Sequence, residues 1–254
     1  GPCAFAQSDL LRVAHHLVQG RLFLPGYGPV GNVPLCALGQ LGSLGPDRRD
    51  IHDGFRLARG KTAYAAFWSH DALTMTTMSE TTNRYLSPLP RAKAGRHLRD
   101  VNLLWPKAGR VLLAERLRLN TQRLAAIRLD RKVLSNVWWP LLLHSNSDLD
   151  EKALVLWLNS TLALLILLVH RQETEGAWVD FKKPVLEGMP VLDITSLAPA
   201  QRQSLSDAYE RLCQAPLLPF PEMAHDPTRV QIDAAIQQVL GLPDFAILRE
   251  LLSS

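Results

Sequence analysis

The sequence predicts an α+β fold in which a basic, β-rich part (residues 1–150) precedes an acidic helical part (residues 151–254). Short apolar runs separated by turn residues dominate the first part, whereas the second part has helical periodicity and helix caps. The charge divides in a similar way. Residues 46–132 hold 18 of the 28 lysines and arginines but only 8 of the 24 acidic residues. Such a concentration of cations is typical of a surface that binds a polyanion.

The composition bounds the class of protein. With 254 residues, 47% of them hydrophobic and 20% charged, the chain is long and apolar enough to bury a core. Its three cysteines, Cys3, Cys36 and Cys213, are scattered and form neither a disulfide framework nor a Cys-x-x-Cys zinc motif. This usage and the absence of a visible signal peptide predict a cytoplasmic protein.

The first 90 residues predict one helix followed by irregular strands. Ser8-Asp9 is an N-cap signal for a helix that ends at Gly20. The Gly- and Pro-rich stretch 25–46 predicts loops and short strands, with an apolar run at 33–38. Residues 62–90 lack helical periodicity, which again indicates strands and loops.

The next segment predicts three strands in a meander. Val111–Leu119, Leu124–Leu129 and Val133–Leu143 are apolar runs. Asn120-Thr121 and Asp130-Arg131 supply turn residues between them. Near the end of the first run, arginines alternate with leucines, so that the arginines share one face of the strand.

The second part predicts three main helices. Ala153–Val169 is almost wholly apolar and predicts one long buried helix rather than a membrane span, because polar residues lie at its centre and charges at both ends. A second helix is predicted to open at Ser196 or Pro199. A third helix is capped by Asp226, begins at Pro227 and ends at Gly241.

Several catalytic motifs are absent from the sequence. There is no phosphate-binding loop, no dinucleotide-binding loop, no nucleophile elbow and no Asn-Pro-Pro-Tyr motif of adenine methyltransferases. The histidines are not spaced for a metal. We therefore expect no catalytic residue, no cofactor and no metal in this chain. One alternative stays open: Asp47, Asp180 and Lys182 are pieces of a metal-dependent nuclease motif.

Several motifs resemble, in their order, the C-terminal target-recognition region of bacterial N6-adenine DNA methyltransferases of restriction-modification and phage-defence systems. The resemblance covers residues 40 to 250 and is carried by Leu44-Gly45-Pro46-Asp47-Arg48-Arg49-Asp50-Ile51-His52, Ala66-Phe67-Trp68-Ser69-His70-Asp71 with Thr76-Thr77, Leu112–Thr121, Val133–Pro140, Leu158-Asn159-Ser160-Thr161, Lys182-Lys183 with Met189-Pro190-Val191-Leu192, and Arg229–Asp233 with Leu240-Gly241-Leu242-Pro243.

The resemblance implies a role in reading DNA sequence. In that family an upstream domain binds S-adenosylmethionine and methylates adenine, whereas the recognition region contacts the double-stranded DNA. It implies that this chain is non-catalytic by itself and that its partners are double-stranded DNA and an upstream methyltransferase domain of the same parent chain. No membrane partner is expected.

The candidate DNA-binding residues combine cations for phosphates with amides, hydroxyls and arginines for base edges. They are Arg48, Arg49, His52, Ser69, His70, Thr76, Thr77, Arg84, Arg116, Arg118, Asn120, Thr121, Arg123, Ser135, Asn136, Lys182 and Lys183. Solvated polar faces explain most of them equally well, and the pair Trp138-Trp139 is expected in the core. Arg91, Lys93, Arg96 and Arg99 predict a mobile basic loop. A second alternative to DNA binding is a protein-interaction module in which the apolar 153–169 helix and the acidic part dock a partner.

Overall fold

The computed structural model describes residues 2–69, 74–170, 172–173 and 178–254, and it confirms the α+β class. Its helices are α1 (Pro2–Leu17), α2 (Leu38–Leu41), α3 (Arg48–Gly54), α4 (Val101–Leu104), α5 (Asp148–Leu158), α6 (Thr161–Val169), α7 (Lys183–Gly188), α8 (Pro199–Leu212), α9 (Pro227–Leu240) and α10 (Ala246–Ser253). Its strands are β1 (Arg21–Leu24), β2 (Gly28–Asn32), β3 (Leu35–Ala37), β4 (Gly42–Leu44), β5 (Phe55–Leu57), β6 (Tyr64–Phe67), β7 (Ser79–Glu80), β8 (Arg84–Pro88), β9 (Gly109–Ala114), β10 (Arg116–Arg118), β11 (Ala126–Ser135), β12 (Trp138–Leu143), β13 (Gln172–Glu173), β14 (Trp178–Asp180) and β15 (Pro190–Leu192).

Eight strands form the main sheet, in the order β4-β12-β9-β11-β6-β8-β5, with β7 pairing to β11. Strand β11 runs parallel to β6, with Leu134 opposite Ala66 and Ser135 opposite Phe67. Two parallel strands in register end at the same edge of a sheet. The residues that follow β6 and β11 are therefore neighbours in space.

The predicted meander is wrong in its order. Strand β9 lies between β11 and β12, whereas a meander would place the strands in sequence order. The predicted turn at Asp130-Arg131 is an irregularity within the ten-residue strand β11, where the pairing with β9 shifts between Arg128 and Val133. Strand β10 leaves the main sheet and pairs with β14 in a separate small sheet.

Two buried clusters cover opposite faces of the main sheet. Ala65 and Phe67 of β6 belong to the large cluster, which contains the apolar residues of α5, α6 and α8. Ala66 and Trp68, whose side chains alternate with them, belong to a small cluster together with Ile51 of α3 and Leu104 of α4. Helices α3 and α4 therefore cover one face, and the helical part covers the other.

The long buried helix is two helices, α5 and α6, at an angle of 71°. Asn159 ends α5: its Oδ1 accepts from the Ala125 N–H at 2.9 Å, and its Nδ2 donates to the Ala126 carbonyl at 2.9 Å. Ser160 then caps α6 by accepting from the Ala163 N–H. The polar centre of the apolar run therefore binds the sheet and breaks the helix.

Most residues of α5 and α6 are buried in the core of this chain, with Asp148 exposed at the start of α5 and Val169 at the end of α6. An apolar helix covered in this way leaves little surface for the partner docking considered above. In the part of the chain that the structure describes, no single helix has the length and apolar character needed to cross a membrane. The bent pair α5 and α6 meets those criteria when its two helices are taken together.

The last helices begin where their caps predict. Helix α8 starts at Pro199, and α9 starts at Pro227 after Asp226, whose carboxylate accepts from the backbone N–H groups of Thr228 and Arg229. Gly241 ends α9 in the left-handed conformation at φ 64°, which glycine adopts without strain. Helix α10 follows and was not expected from the sequence.

A buried polar network holds the helical part to the sheet. Arg229 is 1% exposed and donates to the carbonyl oxygens of Asn159 at 2.7 Å and Arg123 at 2.8 Å. Asp233 accepts from the Thr161 N–H at 2.9 Å and from Arg249 Nη1 at 2.8 Å. Burial raises the pKa of Asp233, against these hydrogen bonds and the Arg249 charge.

Candidate nucleic-acid interface

Helix α3 presents the first group of predicted residues. The Asp47 carboxylate caps the helix by accepting from the Arg49 N–H at 2.6 Å, and the segment that carries Arg48, Arg49 and His52 is helical. Arg48 and Arg49 lie exposed in its first turn. One turn later the His52 ring packs edge-on against Trp68, with 5.3 Å between ring centroids. Burial lowers the pKa of His52, and the Lys93 and Arg48 charges lower it further.

A second group lies where β6 and β11 end side by side. The Ser69 N–H donates to Asn136 Oδ1 at 2.8 Å, and Asn136 Nδ2 donates to Ser69 Oγ at 3.2 Å. The Asn83 side chain bonds both the N–H and the carbonyl of Trp68. We call His52, Trp68, Ser69, Asn83 and Asn136 the strand-end cluster.

Arg84 belongs beside the strand-end cluster. It follows Asn83 directly and lies opposite Ala66 in the pairing of β8 with β6. Its side chain is exposed. Sequence reasoning predicted Ser69, Arg84 and Asn136 but missed Asn83, for which only its place before the arginine was a signal. His70 lies outside the described residues.

A third group surrounds an open pocket of about 480 Å³ beside the N-terminus of α3. Four cations line it: Arg49, Lys107, Lys182 and Lys183. Trp139 forms part of its wall and donates from Nε1 to the Phe181 carbonyl at 3.2 Å. We call this site the junction pocket because its lining comes from several separate segments of the chain.

Arg116 and Glu115 lie at the edge of the junction pocket. Arg116 Nε contacts Asp180 Oδ1 at 2.9 Å across the β10–β14 pair, and its side chain is 57% exposed. Burial raises the pKa of Glu115; the charges of Arg48 and Arg116 oppose this shift, whereas those of Asp47 and Asp180 add to it. The Arg48 and Arg116 charges are thus near enough to act on the Glu115 carboxyl group.

Other predicted residues have structural partners elsewhere. Arg123 Nη1 donates to the Leu217 carbonyl at 2.9 Å, which fixes this arginine to the helical part. Ser135 is 2% exposed, and its hydroxyl accepts from the N–H groups of Val137 and Trp138 in the turn after β11. Trp138 and Trp139 are buried, as expected. Ser135 and Arg123 therefore support the fold.

The remaining candidates lie at two further places. The Thr76 carbonyl accepts from the Leu217 N–H at 2.8 Å, and the Thr77 hydroxyl donates to the Ser79 carbonyl at 3.1 Å. Both threonines are half-buried next to the helical part. Asn120 and Thr121 are exposed in the turn after β10, and Arg118 before them is partly buried.

The nuclease residues Asp47, Asp180 and Lys182 all line the junction pocket. Each carboxylate has another role, however: Asp47 caps α3, and Asp180 pairs with Arg116. Among the described residues, no three histidine, cysteine or acidic side chains are placed to hold a metal ion together. The three residues of the nuclease alternative therefore lie around one pocket, with both carboxylates already engaged in contacts within the protein.

Three contacts fasten the basic loop 91–99 onto α3. Arg96 Nη2 contacts Asp53 Oδ2 at 2.6 Å, Arg99 Nη2 contacts Asp50 Oδ1 at 2.9 Å, and Lys93 Nζ donates to the His52 carbonyl at 2.6 Å. The hydrogen bond from Arg96 lowers the pKa of Asp53. Sequence reasoning expected a mobile loop because the anchoring aspartates lie about 40 residues away.

No protein-family model matches the sequence, and no curated protein does either. Two solved structures are similar to this chain. The type IIG restriction endonuclease BpuSI matches with a TM-score of 0.54 and 11% identity, over 96% of this chain and 32% of the endonuclease. The HsdS subunit from Thermoanaerobacter tengcongensis matches with a TM-score of 0.30 and 13% identity, over 99% of this chain and 50% of the subunit. The chain thus spans about a third of the endonuclease, and it shares the fold of that part.

Proposed function

We propose that this chain binds double-stranded DNA at a specific sequence and serves as the target-recognition part of a restriction-modification enzyme. The observation that carries the proposal is the convergence of cations around the α3 N-terminus. Arg49, Lys107 and the pair Lys182-Lys183 come from distant parts of the sequence and line the junction pocket. The charges of Arg48 and Arg116 act on Glu115 in the same lining. Such a surface attracts phosphates regardless of their sequence.

The strand-end cluster supplies the polar groups that such a surface needs for base recognition. Asn136 and Ser69 bond each other, which holds their amide and hydroxyl in place before DNA arrives. Arg84 is exposed beside them. Arginine and asparagine side chains are suited to guanine and adenine edges in the major groove. Helix α3 joins this cluster to the junction pocket, so phosphate and base contacts lie on adjacent surfaces.

The fold shared with BpuSI and the resemblance of the motifs support a finer proposal. The parent protein is an N6-adenine DNA methyltransferase that uses S-adenosylmethionine in an upstream domain, works in the cytoplasm and protects its host against phage. This chain contributes recognition and no catalytic residue. Its partners are then double-stranded DNA and the methyltransferase domain.

Selection from a random duplex library tests the proposal. The full chain should enrich one short sequence, and its affinity should fall steeply as salt rises because phosphate contacts release counterions. The double variant Arg48→Ala/Arg49→Ala should reduce the slope of log affinity against log salt by about 1 to 2.

The matched control is Arg211→Ala, which removes an exposed arginine from α8 in the helical part. It should leave both the slope and the enriched sequence unchanged. A wild-type chain that enriches no sequence, or that shows no binding to any duplex at low salt, would contradict the proposed function.

A further inference from the structure

Four carboxyl groups line the junction pocket beside its cations, those of Asp47, Asp50, Glu115 and Asp180. Asp47 caps α3, Asp50 pairs with Arg99 and Asp180 pairs with Arg116, which leaves Glu115. Glu115 joins β9 to β10, and its carbonyl accepts from the Phe181 N–H at 2.9 Å, which fixes its backbone. Its side chain lines the pocket and is partly buried. Across the described ranges of the chain, its carboxylate has no hydrogen-bond or ion-pair partner.

An acidic side chain at this position opposes binding to the DNA backbone. The neighbouring cations attract phosphates, whereas the Glu115 carboxylate repels them. Burial also leaves the carboxylate without full hydration, which raises its pKa. A hydrogen bond from a donor of the bound DNA to the carboxylate offsets both the repulsion from the phosphates and the incomplete hydration. The residue therefore suits discrimination between bases better than general affinity.

We infer that Glu115 reads a cytosine through the N4 amino group that this base presents in the major groove, an inference that rests on the proposed function. Of the four bases, cytosine alone presents a hydrogen-bond donor and no acceptor on its own major-groove edge. Adenine carries the N7 acceptor next to its amino group, and guanine and thymine present carbonyl oxygens. Each of these acceptors repels a carboxylate, so Glu115 selects by repulsion as well as by attraction.

The walls of the junction pocket suit this role. Lys107 and Lys182 lie on the same pocket as Glu115, where they would hold the phosphates on either side of the cytosine. Trp139 and Phe181 line the same pocket and are 8% and 2% exposed, respectively. These two buried residues form part of the pocket wall, so a base would enter from the open side of the pocket.

The variant Glu115→Gln tests the inference in the full chain. Glutamine keeps the size of the side chain, but its amide both donates and accepts, so it no longer repels acceptor-bearing bases. Duplex selection with the wild type should show a cytosine at one position of the enriched sequence. The variant should lose about 5- to 100-fold of that preference, while its affinity for unrelated DNA stays equal or rises.

Glu222→Gln is the matched control, because Glu222 is exposed near the start of a 3-10 helix between α8 and α9. It should select the same sequence as the wild type. Thermal unfolding of Glu115→Gln should match the wild type, since no hydrogen bond within the described chain is lost.

Two results separate the inference from the proposed function. If Glu115→Gln enriches the wild-type sequence with unchanged preference at every position, or changes a position that holds no cytosine, the inference is wrong and the proposed function stands. If the wild type enriches no sequence, the proposed function is wrong and the inference falls with it.

Discussion

The arginines of the proposed interface differ in whether they already have a partner within the protein. Arg116 is paired with Asp180 yet 57% exposed, so it can exchange this partner for a phosphate. Arg48 and Arg84 are exposed, and neither has an ion-pair partner within 4.0 Å among the described residues. Arg123, by contrast, is committed to the Leu217 carbonyl. Sequence alone assigns the same chemistry to all four.

The raised pKa of Glu115 predicts how base preference depends on pH. Above its folded-state pKa the group is a carboxylate that accepts from cytosine; below it, the neutral acid no longer repels acceptor-bearing bases. As pH falls through the folded-state pKa of Glu115, the cytosine preference of the wild type should weaken toward that of Glu115→Gln. Competition between two duplexes that differ at this one position measures the preference.

In that competition, Glu115→Gln serves as the control, because its preference should stay flat over the same pH range. A wild-type preference that is equally flat would contradict the prediction. The folded state also favours the protonated acid, since its pKa is raised. This contribution to stability is complete below the unfolded-state pKa and is lost as pH rises through the folded-state value.

The helices whose ends depend on nearby residues were predicted from the sequence. The strand order, which depends on pairing between distant segments, was not. Helix α9 begins at Pro227 after its cap Asp226 and ends at Gly241, so residues at its two ends were enough to predict it from the sequence. The placement of β9 between β11 and β12 depends on pairing between remote segments, which periodicity does not encode. The sequence likewise identified the candidate interface residues one by one. Their grouping around α3 depends on contacts between remote segments and is visible only in the fold.

The break between α5 and α6 predicts a large cost for losing one amide. Asn159 is 1% exposed and bonds Ala125, Ala126 and Val155 through its side chain. Asn159→Ala leaves several buried backbone groups unpaired, at about 1–3 kcal/mol each. We therefore expect the free energy of unfolding to fall by about 3 kcal/mol or more. Urea denaturation followed by circular dichroism measures it.

Asn102→Ala is the control for that measurement, because Asn102 is exposed in the short helix α4. Its free energy of unfolding should stay within about 0.5 kcal/mol of the wild type. An Asn159→Ala protein as stable as this control would show that the amide does not hold α5 against the sheet.

At the scale of the whole molecule, one large core joins residues from both sides of position 150. It contains Leu22 and Val111 as well as Leu164 and Leu205. Two strand pairs, β3–β15 and β10–β14, also cross this position. The division into residues 1–150 and 151–254 describes composition and charge, and it stays a prediction as a statement about domains.

The shared core predicts that the two parts unfold together. Tryptophan fluorescence, which reports mainly on the first part, and far-ultraviolet circular dichroism, dominated by the helices, should give the same denaturation midpoint. Asp233→Ala removes the partner of buried Arg249 and should shift both curves equally, by about 3–5 kcal/mol. Separate midpoints for the two signals would instead indicate two independent domains.

The two aspartates of α3 have a consequence for the speed of recognition. Asp50 and Asp53 hold loop 91–99 against the helix before any DNA is present. Because its backbone is already ordered, the loop loses little conformational entropy when phosphates arrive. If the chain binds DNA as proposed, this restrained basic segment guides the DNA during diffusional encounter. Collisions in the correct orientation would then lead to binding without a rearrangement of the loop.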